Sequence, residues 1–320
     1  MAPEMKEIPV YLFTGFLDSG KTTFIQSVFD TPDDSMDKKT LLLVCEEGDI
    51  EYDPLKFASQ NIHIEVIENE KDLNQNLLAS IAARHNIDDV MIEYNGMWML
   101  QSLFRAMPPN WIIAQELCFM DATTFQMFNK NMRQQTFDKM KTPDLLVFNR
   151  CERGVTNQEE LHREVRIASR KVQIAYEYGP DDVEPDMIED PMPFDKEASI
   201  IEIKPEWFAE WYRDVNENPD DYEGKKVIVK GRVALVEQLP DGEFAFGRHV
   251  MTCCVDDIQF AGLAAKWKED YKYNIGDWIE IKAKIKNEYN NAYREVGPVL
   301  YCTHVTRVDP VVPEVATFYG

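Results

Sequence analysis

Residues 15 to 22 read Gly15-Phe-Leu-Asp18-Ser19-Gly20-Lys21-Thr22, and a second hydroxyl follows at Thr23. Two glycines, a lysine and hydroxyl side chains at this spacing suit a multiply charged oxyanion. The glycines let the main chain turn back so that its N–H groups converge on phosphate oxygens, and a helix starting directly afterwards adds the positive end of its dipole. Lys21 then reaches the β- and γ-phosphates of a nucleoside triphosphate, and the Thr22 hydroxyl serves as a Mg²⁺ ligand. The alternative is a plain glycine turn. Asp18 stands apart, because a carboxylate inside an anion loop repels what the loop holds. Either it turns outward or it holds a cation or an attacking water.

Such a loop needs a strand before it and a helix after it, and both are expected. Short apolar runs at 8–14, 40–45, 62–67, 90–94, 112–121, 145–149 and 172–176 read as strands. Between them, apolar residues at three- and four-residue spacing predict helices over 21–29, 71–85, 99–107, 125–140 and 157–169. The alternation predicts an α/β domain over residues 1–178, with a doubly wound parallel sheet. Residues 179–199, rich in proline and acids, read as an exposed linker. Over 200–320, strands at 200–203, 224–236, 243–254, 278–284, 293–296 and 299–307, with an aromatic helix near 205–215, predict a smaller, mainly β domain, an OB-like barrel.

Composition narrows the function classes. Fifty-seven acidic against 34 basic residues give a formal charge of −23, a field that repels a nucleic acid backbone. Lysines and aromatics near 266–273 offer a little of what an oligonucleotide-binding barrel needs, and a solvated helix face explains them as well. The apolar runs are too short to span a bilayer, and the N-terminus lacks a basic region leading into an apolar core. Scattered cysteines suit reduced thiols. A cytoplasmic protein without a membrane span is expected.

With its loop and downstream motifs, the chain over about residues 8–178 resembles the CobW-type GTPases, relatives of HypB and UreG that serve metal delivery and metalloenzyme maturation. The loop differs from the usual Gly-Phe-Leu-Gly-Ser-Gly-Lys-Thr-Thr only at Asp18. Cys45-Glu46-Glu47-Gly48-Asp49 stands where the family has its Asn-Glu-Phe-Gly-Glu switch segment, and Glu46 joins the candidate metal ligands. Val90-Met-Ile-Glu93-Tyr-Asn-Gly96 looks like the apolar strand followed by Glu-x-x-Gly. A carboxylate there can bind the Mg²⁺ shell or position water, and a glycine N–H can meet the γ-phosphate. Capping a helix N-terminus is the other role open to Glu93, and helix capping likewise explains Asp121. Asn149-Arg150-Cys151-Glu152 replaces the usual Asn-Lys-x-Asp, whose amide and carboxylate select guanine. The resemblance therefore implies GTP and Mg²⁺ as cofactors, Lys21 and Glu93 as the catalytic pair, and Zn²⁺ or another transition metal as cargo.

One family feature is absent. After the third strand, where family members carry Cys-x-Cys-Cys, the sequence reads Val66-Ile-Glu68-Asn-Glu70. Glu68 and Glu70, sharing a face if extended, could offer oxygen ligands to a harder metal, or are solvated acids at a helix start; Cys45 is a further candidate. With Tyr222-Glu-Gly224-Lys-Lys-Val-Ile-Val-Lys-Gly231, Phe246-Gly-Arg-His249-Val-Met251-Thr-Cys253-Cys254-Val-Asp256-Asp257 and Trp278 after Gly276-Asp277, the chain from about residue 205 resembles the C-terminal domain of YcgQ-type proteins, found beside predicted permeases. His249, Cys253, Cys254 and Asp256 are candidate ligands there, and Cys302 and His304 should alternate onto one face of the last strand. The partners implied are guanine nucleotide, a client metalloprotein, a membrane permease and a second copy as homodimer. A nucleotide-gated scaffold without hydrolysis and a small-molecule kinase are the rival readings.

Overall fold

The computed structural model describes residues 6–32, 37–234, 242–252, 255–267 and 274–318. The chain divides into two compact units, residues 1–188 and 189–320.

In the first unit, apolar runs produce β1 (Ile8–Thr14), β2 (Thr40–Val44), β3 (Ile62–Val66), β4 (Asp89–Glu93), β5 (Trp111–Asp121), β6 (Leu145–Asn149) and β7 (Gln173–Gly179), followed by β8 (Asp182–Pro185). The helices are α1 (Lys21–Asp30), α2 (Gln75–His85), α3 (Leu100–Ala106), α4 (Phe125–Asn131), α5 (Arg133–Lys141) and α6 (Gln158–Ala168). The strands form one sheet in the order β3-β2-β4-β1-β5-β6-β7-β8, parallel except for β8. Successive residues of β2 divide between its two faces. Leu41 and Leu43 enter one core with Val10, Leu12 and Ile92, while Leu42 and Val44 enter another with Phe13, Ile25 and Phe29. Both faces are covered, which is why β2 reads as an unbroken apolar run. β1 lies between β4 and β5, where the order of connections reverses, and the carboxyl ends of strands open a crevice at such a point. The phosphate loop leaves β1 there.

Two expectations change in this unit. The single helix over 125–140 is two, broken at Met132 (φ −130°, ψ 49°). Asn129 and Asn131, poor helix formers, turn their amides to Glu164 and to the Met127 carbonyl. The segment read as linker supplies β8, antiparallel to β7, and then Asp186. Its N–H donates to the Ile174 carbonyl at 2.8 Å, and its carboxylate meets His162 Nδ1 at 2.6 Å and accepts from the Tyr176 hydroxyl at 3.3 Å. An acid with such partners is docked rather than solvated.

The second unit contains β9 (Ile201–Glu202), α7 (Phe208–Glu217), β10 (Lys226–Ala234), β11 (Glu243–Met251), β12 (Gln259–Lys266), β13 (Trp278–Asn290), β14 (Glu295–Arg307) and β15 (Ala316–Thr317). β10 pairs with β11, β11 with β12, β12 with β14, β14 with β13, and β13 returns to β10, which closes a five-stranded barrel. Only the β12–β14 step is parallel. This is the OB arrangement. Val227, Val229 and Val233 point inward from β10, and α7 adds Phe208, Trp211 and Val215 at helical spacing. β12 was not expected, since Ala-Gly-Leu-Ala-Ala has neither β-branched residues nor apolar/polar alternation.

Candidate functional site

At the end of β1, Gly15 has φ 134°, and a Cβ there would lie 2.2 Å from the Phe119 carbonyl oxygen. Only glycine fits this turn. The loop then leads into α1, whose first residue, Lys21, is 3% exposed. Its ammonium donates to the Gly15 and Phe16 carbonyls at 3.0 and 2.8 Å and to Glu46 Oε2 at 2.8 Å. Those bonds hold the lysine back over its own loop.

A cavity of about 350 Å³ opens beside it, lined by Asp18, Gly20, Lys21, Thr22, Thr23, Glu46, Glu93 and Arg150. Thr22 Oγ1 donates to Glu93 Oε1 at 2.6 Å, and the Tyr52 hydroxyl donates to the other oxygen of the same carboxylate. Burial, then the Glu93 charge and hydrogen bond, push the Tyr52 phenol up, so it remains a proton donor. Glu46 is placed differently from Thr22 and Glu93. One of its oxygens faces Lys21 and the other accepts from the Gly96 N–H at 3.1 Å. Gly96 packs so tightly on the loop that a Cβ would lie 2.7 Å from Phe16 Cα. A larger cavity of about 520 Å³ lies among Phe24, Met91 and Leu117 and includes none of the predicted site residues.

Asn149, expected to face a base, is buried and donates its amide to the Ser19 carbonyl at 2.6 Å, clamping the loop; its Oδ1 and Ser19 Oγ are buried and have no hydrogen-bond partner among the described residues. Glu152 lies on an exposed loop outside the cavity. Asp18 is exposed, holds φ 59° as aspartate tolerates, and has its carboxylate near Gly48. Sequence reading treated Arg150 only as a replacement for lysine, yet it lines the cavity and bonds to the Asp18 carbonyl at 2.9 Å and to the Asp121 carboxylate. Burial alone would raise the Asp121 carboxyl; hydrogen bonds from Thr123 and the Arg150 charge outweigh it and hold it below its ordinary value. Tyr52 was missed altogether, and nothing in its spacing marks it.

Among the described residues, no group of three or more His, Cys, Asp or Glu side chains is placed to hold a metal ion. Burial, followed by Glu93 and Glu46, pushes the Cys45 thiol up to about 12, so it is neutral at physiological pH. Glu70 begins a short 3-10 turn and accepts from the Ser102 hydroxyl, which ends the extended face it would share with Glu68. Cys253 and Cys254 lie outside the described residues. Nearby, His249 packs edge-on to Phe260, and Asp256 lies in the turn Val255–Asp257. In β14, Ala283 pairs with Cys302 and Lys282 with His304. Thr303 is thus an extra residue, and the bulge breaks the alternation. Cys302 packs on the barrel core while His304 is exposed.

The donor set around the cavity suits a nucleotide's phosphates: a glycine-shaped loop at a helix N-terminus, a buried lysine, and a threonine paired with a strand-end carboxylate. The family model for the CobW/HypB/UreG nucleotide-binding domain matches residues 9–176. The chain belongs to that family. Its CobW/HypB/UreG domain is followed by a match to the DUF1980 C-terminal domain over residues 179–314. Among solved structures, the hydrogenase maturation factor HypB from Archaeoglobus fulgidus is similar at 15% identity, covering 53% of this chain and 80% of that one, with a TM-score of 0.38. No curated protein matches the chain. Among the described residues, no helix is long and apolar enough to cross a membrane.

Proposed function

We propose that this chain binds GTP with Mg²⁺ in the cavity beside Lys21, hydrolyses it slowly, and uses the nucleotide cycle in metal homeostasis or metallocofactor assembly in the cytoplasm. The observation that carries this reading is the convergence of Lys21, Thr22, Glu93 and the Gly96 N–H at the end of β1. Loop N–H groups and Lys21 would hold the phosphates, and Lys21 would stabilise charge on the transferring phosphoryl. Thr22 and Glu93 would hold Mg²⁺, which when bound supplies charge neutralisation between the β- and γ-phosphates. Glu93, with Tyr52 fixing its second oxygen, would orient the attacking water. Arg150, which lines the cavity, is tied to Asp121 and Asp18 rather than offered to the transition state, and turnover would accordingly be slow without a partner. Family membership supports guanine as the base and a metalloprotein as the client. Steady-state phosphate release, compared between wild type and Lys21→Ala, tests the enzyme reading. A loss of about a hundredfold or more is expected, and equal rates would end it.

A further inference from the structure

We infer that Asp18 shortens the stay of a bound nucleotide, so that this chain empties and refills its phosphate site without a partner that pries the nucleotide out. The inference rests on nucleotide binding at the phosphate loop and concerns release rather than hydrolysis. The backbone at Asp18 holds φ 59°, a conformation that glycine adopts freely and aspartate tolerates. Aspartate meets the same turn and adds a charge. Its side chain stands on the wall of the cavity that also contains Gly20, Lys21 and Thr22.

That charge is not neutralised by the chain. Among the described residues, the Asp18 carboxylate pairs with no Lys, Arg or His side chain. Arg150 bonds to the Asp18 carbonyl at 2.9 Å instead and gives its other nitrogen to the Asp121 carboxylate. Lys21 is taken by Glu46 at 2.8 Å. Both cations on the cavity wall are thus already paired, while its carboxylates are Asp18, Glu46, Asp49 and Glu93. Loop N–H groups, the helix end and Mg²⁺ draw the phosphates in, and Asp18 meets them as an uncompensated like charge. Repulsion falls with distance, so it raises the bound state more than the departing one and speeds release. Asp18 is exposed, and water and salt weaken the effect without abolishing it.

The test is stopped-flow release of GDP carrying an N-methylanthraniloyl fluorophore, chased with excess unlabelled GDP and Mg²⁺. The full chain is compared as wild type, Asp18→Asn, Asp18→Gly and Glu51→Gln. Asparagine keeps the size of the side chain and its tolerance of this backbone, and lacks the charge. Wild type should lose its label within seconds of the chase. Both Asp18 variants should lose it about tenfold or more slowly in about 0.05 M NaCl. The difference should shrink to less than about threefold in about 1 M NaCl, where charges are screened beyond about 3 Å. Glu51 is exposed and off the cavity wall, and Glu51→Gln should release at the wild-type rate. Release from wild type over hours, a wild-type rate for Asp18→Asn, slowing that persists undiminished in the high salt, or equal slowing by Glu51→Gln overturns the inference while nucleotide binding stands. Failure of all four proteins to take up the label overturns both readings.

Discussion

The residues of the site divide into those that could meet a phosphate directly and those that shape the loop. Lys21, Thr22 and Glu93 belong to the first group, and Asn149 and Arg150 to the second, tied to the Ser19 and Asp18 carbonyls from across the crevice. Base choice would then fall on the loop that follows them. Glu152 carries its carboxylate on that loop, exposed, with its backbone N–H bonded to the Thr156 hydroxyl at 2.8 Å. A carboxylate accepting two donors of guanine rejects a base that lacks them, so Glu152→Ala should reduce the GTP-over-ATP affinity ratio by about tenfold or more, chiefly by weakening GTP. Competition titrations with the two triphosphates check this, and an unchanged ratio removes Glu152 from base selection. The phosphate loop was legible because its chemistry is local: glycines, lysine and threonine fall within eight consecutive residues. The attachments of Glu46 to Lys21, of Tyr52 to Glu93 and of Asn149 to Ser19 were not. Those partners are 25, 41 and 130 residues apart, and packing alone decides which oxygen meets which donor.

Elements were legible where their pattern is periodic and hidden where tertiary contacts decide. β1 and β6 fall where their apolar runs place them, β12 is hidden by small residues, and β8 is hidden among acids and prolines. An acid can also sit inside an apolar strand, as Glu116 does on β5, only 3% exposed. Burial raises its carboxyl to about 7, opposed by the Thr142 hydroxyl bond at 3.1 Å and assisted by Asp144 and Asp138. The folded state therefore keeps a proton that the unfolded chain loses above about 4.5. Stability is unaffected by this group below that pH, falls as pH rises from about 4.5 to 7, and stays lowered above it, by roughly 3 kcal/mol. Glu116→Gln keeps an acceptor for Thr142 and cannot ionise. Urea denaturation at pH 5 and pH 8 should show the variant gaining on wild type at the higher pH and not at the lower. A constant difference between the two would mean that Glu116 does not titrate in this range.

At the scale of the whole molecule, each unit contains its own apolar core, and every residue assigned to the phosphate site lies in the first. A chain of residues 1–188 should therefore fold alone and bind nucleotide with nearly the affinity of the full protein. Where that chain is cut matters more than its composition suggests. Ending at 178, the boundary read from the sequence, deletes β8 and Asp186. His162 and Arg166 then lose the carboxylate that faces them at 2.6 and 3.6 Å, the Tyr176 hydroxyl loses an acceptor, and the free edge of β7 meets water. Removing one partner of a buried charged cluster costs about 3–5 kcal/mol, a large part of the stability of a domain this size. Chemical denaturation should place residues 1–178 well below 1–188, and Asp186→Ala in the longer chain should reproduce most of the difference. Equal midpoints for the two fragments would return residues 179–188 to the role of a spacer. Loss of nucleotide binding by a folded 1–188 fragment would instead make the barrel unit part of the site.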